Sequence, residues 1–118
     1  MGTGAGTGAG ERPAAGLEVE LADGFWSPRQ AQLREHTLEV QLNRLEEQGV
    51  VDNFRRLAGA ADPTAVPRRA MHFCDSDLYK WLEAAVLAGR LDLAEPVVDL
   101  VEAVQAPDGY VHTHYGVD

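Results

Sequence analysis

The sequence predicts an all-α fold with a short extended segment on its N-terminal side. Apolar residues recur at helical spacing in three stretches, at about residues 27–48, 75–89 and 92–105. Glycine follows the first stretch and closes the second, and a Pro-Asp-Gly turn follows the third, as is typical of helix ends. Apolar and acidic residues alternate only in a short run at residues 17–21, which favours a strand or an extended segment there.

Composition bounds the class of protein before any motif is considered. The chain has 118 residues, of which 45% are hydrophobic and 25% charged, as expected for one globular domain. Its formal net charge of −9 argues against nucleic acid and anionic membranes as partners. Cys74 is the only cysteine, so an intrachain disulfide is excluded. This cysteine usage fits a reducing compartment, and we expect a cytoplasmic protein.

The first helix follows a Gly/Ala-rich tail, residues 1–16, which we predict to be disordered because glycine loses much backbone entropy on ordering. Phe25 and Trp26 are large aromatic residues that we expect to fill a core. Ser27 is a suitable N-cap for a helix that ends at about Gln48. Three leucines of this helix fall on one face: Leu38, Leu42 and Leu45.

Residues 50–69 are predicted to be mostly loop, with one or two helical turns at residues 53–57. Pro63 and Pro67 disfavour regular structure in the rest of this segment. Long loops in compact domains are often functional.

Residues 75–105 predict two antiparallel helices with a very short link. Asp75 and its neighbours Ser76 and Asp77 supply cap and first-turn residues for the first of them. Asp92 and Glu95 have the spacing of a capping box for the second, with Pro96 in its first turn. The predicted buried faces are Leu78, Trp81, Leu82, Ala85 and Val86 on the first helix and Val97, Leu100, Val101 and Val104 on the second.

Two sets of residues could carry chemistry. Asp75, Asp77, Glu83 and Asp108 are carboxylates of the kind that glycosidases use in pairs, but the same residue types serve as helix caps and turn residues. The potential metal ligands are His72, Cys74, His112 and His114. Their spacing differs from that of closed zinc sites, so no metal site is predicted, and Cys74 is interpreted as a buried thiol.

Two segments resemble those of a known enzyme family. The first, FCDSDLYKWLEAA at residues 73–85, resembles the segment F-x-D-S-D-hydrophobic-Y-K-W-L-E-A-A of glycoside hydrolase family 127, the β-L-arabinofuranosidase family. The second, QAPDGYV at residues 105–111, is similar to that family's Q-x-x-D-G-Y-hydrophobic segment, and Thr113 and Tyr115 continue the likeness. Phe25-Trp26 and Asn53-Phe54 fall where the family has similar residues. The resemblance covers residues 17–118.

The resemblance implies that residues 17–118 are the N-terminal fragment of a catalytic domain that is an (α/α)6 barrel. The family's activity is retaining hydrolysis of terminal L-arabinofuranosides, with a zinc-bound cysteine as nucleophile and a glutamate as acid/base. Those residues belong to a later part of the family's chain and have no counterpart here. Cys74 occupies a variable position of the motif. We therefore predict no catalytic residue, metal ligand or cofactor within the fragment, although zinc is expected in the full-length family.

The resemblance makes a carbohydrate, an arabinofuranoside, the expected partner of the full-length enzyme. Helix-end loops form the mouth of such barrels, so we predict that Asp75, Asp108 and Tyr110 bind substrate. The isolated chain is expected to be inactive. The alternative is a non-catalytic helical module for binding or assembly, completed by a second chain that supplies the rest of the barrel.

Overall fold

A computed structural model describes residues 18–62 and 64–115. The predicted disordered tail, residues 1–16, lies outside the described residues. The fold is all-α, as predicted. Residues 18–22 form neither helix nor strand, because the described chain supplies no strand with which they could pair. No helix in the described ranges has both the length and the apolar character needed to span a bilayer.

The helices follow one another in the order in which the sequence predicts them. In chain order they are α1 (Trp26–Gln32), a π-helical segment (Leu33–Thr37), α2 (Leu38–Glu47), α3 (Val50–Leu57), α4 (Asp75–Leu87) and α5 (Leu91–Val104). The first three segments form one continuous helical stretch, residues 26–47, which we call the rod. Helix α3 is longer than the predicted turns because Val50 and Val51 extend its buried face toward the N-terminus.

The core lies between the second half of the rod and the three later helices. It consists of buried apolar side chains: Leu38, Leu45, Val50, Val51, Phe54, Cys74, Leu78, Trp81, Ala85, Ala94 and Val97. Trp81 is 5% exposed, and its indole N–H donates a 2.8 Å hydrogen bond to the carbonyl of Leu38. This bond satisfies the indole N–H and joins α4 to the rod, so burial of the large ring carries no unpaired donor.

The start of the rod differs from the sequence prediction. The helix begins at Trp26 because Phe25 already has helical dihedral angles, and Ser27 is therefore not the N-cap. Phe25 and Trp26 are 61% and 65% exposed, so the prediction that they fill a core is wrong. No residue of α1 is buried, and the two rings pack edge-to-face on each other at 4.9 Å. The Arg29 guanidinium lies 3.4 Å from the Phe25 ring centroid and supplies a local cation–π contact.

Glycines end two helices at the predicted positions. Gly49, which follows α2, has a φ of 81°, a left-handed conformation that glycine adopts without strain. A Cβ atom at this position would lie 2.8 Å from Cδ of Arg69, so there is also no room for a side chain. Gly89 follows α4 with a φ of 74°. The predicted stripe of α4 is buried or half-buried except for Val86, which lies at the exposed edge of the helix.

The predicted capping box of the last helix is wrong. Helix α5 begins at Leu91, so Asp92 is inside the helix and Pro96 lies in its second turn. The Asp92 carboxylate instead accepts two hydrogen bonds from Arg90, at 2.9 and 2.8 Å, and this guanidinium holds the pKa of Asp92 below its usual value. Arg90 also donates to the carbonyl of Arg34 in the π-helical segment, at 2.6 Å. The short link between α4 and α5 is thereby joined to the rod.

Candidate substrate-binding surface

A buried carboxylate joins the C-terminal segment to the start of α4. Asp75 is the first residue of α4 and is 4% exposed, while Thr113 is 1% exposed. The backbone N–H of Thr113 donates to Oδ2 of Asp75 at 2.7 Å, and its hydroxyl donates to Oδ1 at 2.6 Å. Asp75 is an acidic residue of the first turn, as predicted, but Cys74 is the N-cap and the Asp75 carboxylate binds Thr113 instead of capping the helix. We call these two residues the Asp75–Thr113 pair.

Arg68 lies beside this pair and links it to the loop before α4. Its Nη2 atom lies 3.4 Å from Oγ1 of Thr113 and 3.6 Å from Sγ of Cys74. The guanidinium also donates to the carbonyls of Ala70 and Met71, at 3.2 and 3.1 Å. The Thr113 hydroxyl therefore accepts from a cation while it donates to an anion, an arrangement that strengthens both hydrogen bonds.

Asn53 fixes the same loop from the other side. This buried side chain donates to the carbonyl of Arg69 at 2.8 Å and accepts from the Arg69 N–H at 2.9 Å. The next residue, Ala70, has a φ of 64°, which is unfavourable for a residue with a Cβ atom. The two hydrogen bonds of Asn53 and those of Arg68 hold the loop in this strained conformation.

The predicted turn after α5 is present. Oδ1 of Asp108 accepts the backbone N–H of Tyr110 at 3.0 Å, and Gly109 has a φ of 92°. Ala106 and Tyr110 close the turn with a backbone hydrogen bond of 2.9 Å. Asp108 and Tyr110 are both exposed, so the carboxylate and the phenol are accessible to solvent.

Beyond the turn, imidazole and tyrosine rings form a cluster. We call it the imidazole–tyrosine surface, and it consists of His72, Tyr110, His112, His114 and Tyr115. The ring centroids of Tyr110 and His112 lie 6.5 Å apart at 15°, those of His112 and Tyr115 4.8 Å, those of His114 and Tyr115 4.7 Å, and those of His72 and His114 6.0 Å. Nδ1 of His112 accepts the N–H of His114 at 3.1 Å, so the proton of its neutral ring is on Nε2, which remains a donor.

The three predicted substrate-binding residues are connected through one segment. Asp108 and Tyr110 share a hydrogen bond, and Asp75 binds the same segment through Thr113. Their role in binding substrate stays a prediction. His72 and Thr113 were not among the predicted site residues. Alternation in His112-Thr113-His114 is the signal that could have indicated a buried residue between two more exposed ones.

Zinc does not fit the described part of the chain. Within residues 18–62 and 64–115, no three His, Cys, Asp or Glu side chains are arranged so that they could hold a metal ion. Burial raises the pKa of the Cys74 thiol, and the nearby Arg68 offsets only part of this effect. Cys74 is thus a buried, protonated thiol, in agreement with its interpretation from the sequence.

A separate groove of about 570 Å³ lies between the rod and α4. Its lining residues include Ser27, Gln30, Leu33, Arg34, Ala84 and Leu87. None of the three predicted substrate-binding residues lines it, so it offers a distinct location against which sugar binding at the imidazole–tyrosine surface can be tested.

Comparison with known proteins decides the family. The family model described as "Beta-L-arabinofuranosidase, GH127 catalytic domain" matches residues 18–118. The chain belongs to glycoside hydrolase family 127. The sequence is 28% identical over 127 residues to the non-reducing end beta-L-arabinofuranosidase of Bifidobacterium longum subsp. longum, a match that covers 86% of this chain. The chain spans 19% of the length of that relative. No solved structure gives a significant match.

Family membership confirms the resemblance carried by residues 73–85 and 105–111. The α4–α5 hairpin and the all-α core are consistent with part of an α/α barrel. In the structure the two segments meet, because Asp75 of the first binds Thr113, which follows the second by two residues. The two segments that identify the family therefore lie together. We call this region, at the start of α4 and around Thr113, the corner.

Proposed function

We propose that this chain forms the N-terminal part of the catalytic domain of a hydrolase acting on terminal β-L-arabinofuranosides. The observation that carries the proposal is the imidazole–tyrosine surface beside the Asp75–Thr113 pair, where the two family segments meet. The similarity to a non-reducing end beta-L-arabinofuranosidase supports this substrate class. We also propose that the protein is cytoplasmic.

The chemistry of the surface suits a small sugar. Aromatic rings offer apolar faces to the C–H groups of a furanose, and a few polar groups fix its orientation. His112 presents Nε2–H as a donor, Tyr110 an exposed phenol, and Asp108 a carboxylate whose second oxygen makes no hydrogen bond among the described residues. We propose that Tyr110 and Asp108 contact the sugar hydroxyls together with His112.

We also propose that the 118-residue chain does not hydrolyse arabinofuranosides by itself. A thiolate or carboxylate nucleophile must be exposed and ionised to attack the sugar. Cys74 is buried and protonated, and the described residues do not fit zinc. Residues outside the matched fifth of the relative's length would supply the nucleophile, the acid/base and the zinc ligands.

One observation favours the alternative, a non-catalytic helical module that binds or assembles with a second chain. Phe25, Trp26 and Leu33 are exposed on the rod, and together they offer an apolar surface for another protein. The two hypotheses differ in what they predict for sugar binding, because a module that serves only assembly is not expected to bind an arabinofuranoside.

Saturation-transfer NMR with methyl β-L-arabinofuranoside tests the binding function, with methyl β-D-galactopyranoside as the control sugar. We expect transfer to the arabinofuranoside alone, and we expect Tyr110→Ala to abolish it while Trp26→Ala leaves it unchanged. Equal signals from both sugars, or none from either, contradict the proposal. Arabinose release by the purified chain, at a rate that depends on added zinc, would overturn the proposed inactivity.

A further inference from the structure

We propose that Asp75 acts in sugar binding as a positioning residue, through Thr113, rather than by touching the sugar. The proposal rests on the sugar-binding function of the imidazole–tyrosine surface. It deepens that function by naming the group that holds His112 and His114 in place. The sequence predicts direct contact for Asp75, whereas the geometry points to an indirect role.

The carboxylate of Asp75 has no oxygen free of hydrogen bonds within the chain. Each of its oxygens accepts a short hydrogen bond from Thr113, at 2.7 and 2.6 Å. Both residues are buried, so a sugar at the surface would have to displace Thr113 before it could reach either oxygen. Breaking two hydrogen bonds to a buried carboxylate costs more than a sugar hydroxyl would return, since hydrogen bonds to charged groups are the stronger ones.

Thr113 lies between His112, which is half-buried, and His114, which is exposed. A bond to its N–H fixes the peptide plane that it shares with His112, and a bond to its hydroxyl fixes its side-chain rotamer. The N–H of His114 then donates to Nδ1 of His112, which aims Nε2–H of that ring away from the backbone. The direction of the proposed sugar donor therefore follows from the Asp75–Thr113 pair.

The pair is held by rigid surroundings. Asp75 is the first residue of a thirteen-residue helix, and negative charge is favourable at a helix N-terminus. Arg68 also donates to the Thr113 hydroxyl, at 3.4 Å. Asp77 lies in the same first turn but is exposed and makes no side-chain hydrogen bond among the described residues, which makes it a matched control.

Four variants of the 118-residue chain separate positioning from contact: Asp75→Asn, Thr113→Val, Thr113→Ser and the control Asp77→Asn. The affinity for methyl β-L-arabinofuranoside is measured by NMR titration, and ring–ring nuclear Overhauser contacts are recorded for His112–Tyr115 and His72–His114. Because a hydrogen bond to a charged group is lost, we expect about tenfold weaker binding for Asp75→Asn and Thr113→Val. Thr113→Ser keeps both donors, so it and Asp77→Asn should bind as the unchanged chain does.

Full affinity in Thr113→Val with lost affinity in Asp75→Asn would show direct contact and overturn the proposal, as would full affinity in both. If the unchanged chain binds no sugar, the proposed function fails and the ring contacts alone decide about positioning. Loss of the ring contacts in Asp75→Asn and Thr113→Val, with helical circular dichroism retained, supports the positioning role of Asp75. Persistence of the ring contacts in these variants overturns it. If Asp75→Asn does not fold, Thr113→Val is compared with Thr113→Ser. Weaker binding or lost ring contacts in Thr113→Val alone support the proposal, and equal behaviour of the two variants overturns it.

Discussion

The two ends of the molecule use aromatic and charged residues in opposite ways. At the start of the rod, the ring packing of Phe25 on Trp26 and the contacts of Arg29 with Phe25 all lie within four residues of sequence. At the corner where α4 begins, the hydrogen bond between Asp75 and Thr113 spans 38 residues and that between Arg68 and Thr113 spans 45. Local contacts leave large rings exposed, whereas long-range hydrogen bonds hold a surface in a defined geometry.

This difference explains why the corner and not the rod is the candidate site. A binding surface must keep its groups in position before the ligand arrives, because ordering them on binding reduces affinity. The corner meets this requirement because the buried side chains of Asn53, Asp75 and Thr113 are hydrogen-bonded within the chain. Helix α1 buries no residue, so the rings of Phe25 and Trp26 are oriented by local contacts rather than by packing in the core.

The largest contrast between the two ends should appear in the tryptophans. Truncation of a buried aromatic residue costs about 3–5 kcal/mol of unfolding free energy, and we expect this for Trp81→Ala because its ring fills the core and its N–H binds Leu38. Trp26→Ala should change the unfolding free energy by less than about 0.5 kcal/mol because the ring is exposed. Urea denaturation followed by circular dichroism measures both. Equal losses would contradict the assignment of the core.

A pair of glycines sharpens the comparison at the level of the backbone. Gly49 and Gly59 both have left-handed φ angles, of 81° and 76°, but only Gly49 is packed against another residue, Arg69. Alanine in this conformation costs about 1–2 kcal/mol at either position. Gly49→Ala should cost about 1 kcal/mol more, because the Arg69 side chain must move. Urea denaturation of the two variants checks the difference, and a larger loss for Gly59→Ala would be inconsistent with it.

Thiol reactivity tests the electrostatics of the corner. Burial raises the pKa of Cys74, so less thiolate is present at pH 8 than for an exposed thiol. We expect the folded chain to react with a disulfide reagent at least about tenfold more slowly than the chain unfolded in urea. The reaction is followed by absorbance. A folded chain that reacts as fast as the unfolded one would contradict the burial of Cys74.

The smallest effect is expected at Tyr79, whose buried hydroxyl has no hydrogen-bond partner among the described residues. Burial raises its pKa to about 12, and the charge of Asp75 adds to this. The protonated form therefore favours the folded state, and the free energy of unfolding should fall as the pH rises from about 10 to about 12. Tyr79→Phe should flatten this fall and change stability at pH 7 by less than about 1 kcal/mol. Tyr110→Phe, at an exposed tyrosine, is the control and should retain the fall.

Helical periodicity predicted the fold well where burial decides the structure. Helix α4 begins and ends where its apolar stripe and Gly89 indicate, because the side chains that form the stripe pack in the core. Helix starts were predicted less well. Ser27 and Asp92 are suitable cap residues by type, but the residue before each of them is already helical, and the Asp92 carboxylate binds Arg90. Phe25 and Trp26 were expected to be buried because they are large, but burial also requires an opposing surface.

The candidate site could be predicted only in part. The turn at Asp108 and Gly109 follows from local residue types, and the family segments indicate the region. The Asp75–Thr113 pair joins residues 38 positions apart, and periodicity carries no information about such a hydrogen bond. For the same reason, Asp75 was interpreted as a cap residue or a sugar ligand, and Thr113 was named only as a continuation of the family likeness.

The central claim is that the corner at α4 binds the arabinofuranoside, and residue-resolved NMR tests it most directly. In a titration of the isotope-labelled chain with methyl β-L-arabinofuranoside, we predict that the largest chemical-shift changes occur at Tyr110, His112 and His114. Residues of the groove between the rod and α4, such as Leu33 and Leu87, should be unaffected. Shift changes concentrated in that groove, or no change at any residue, would contradict the claim.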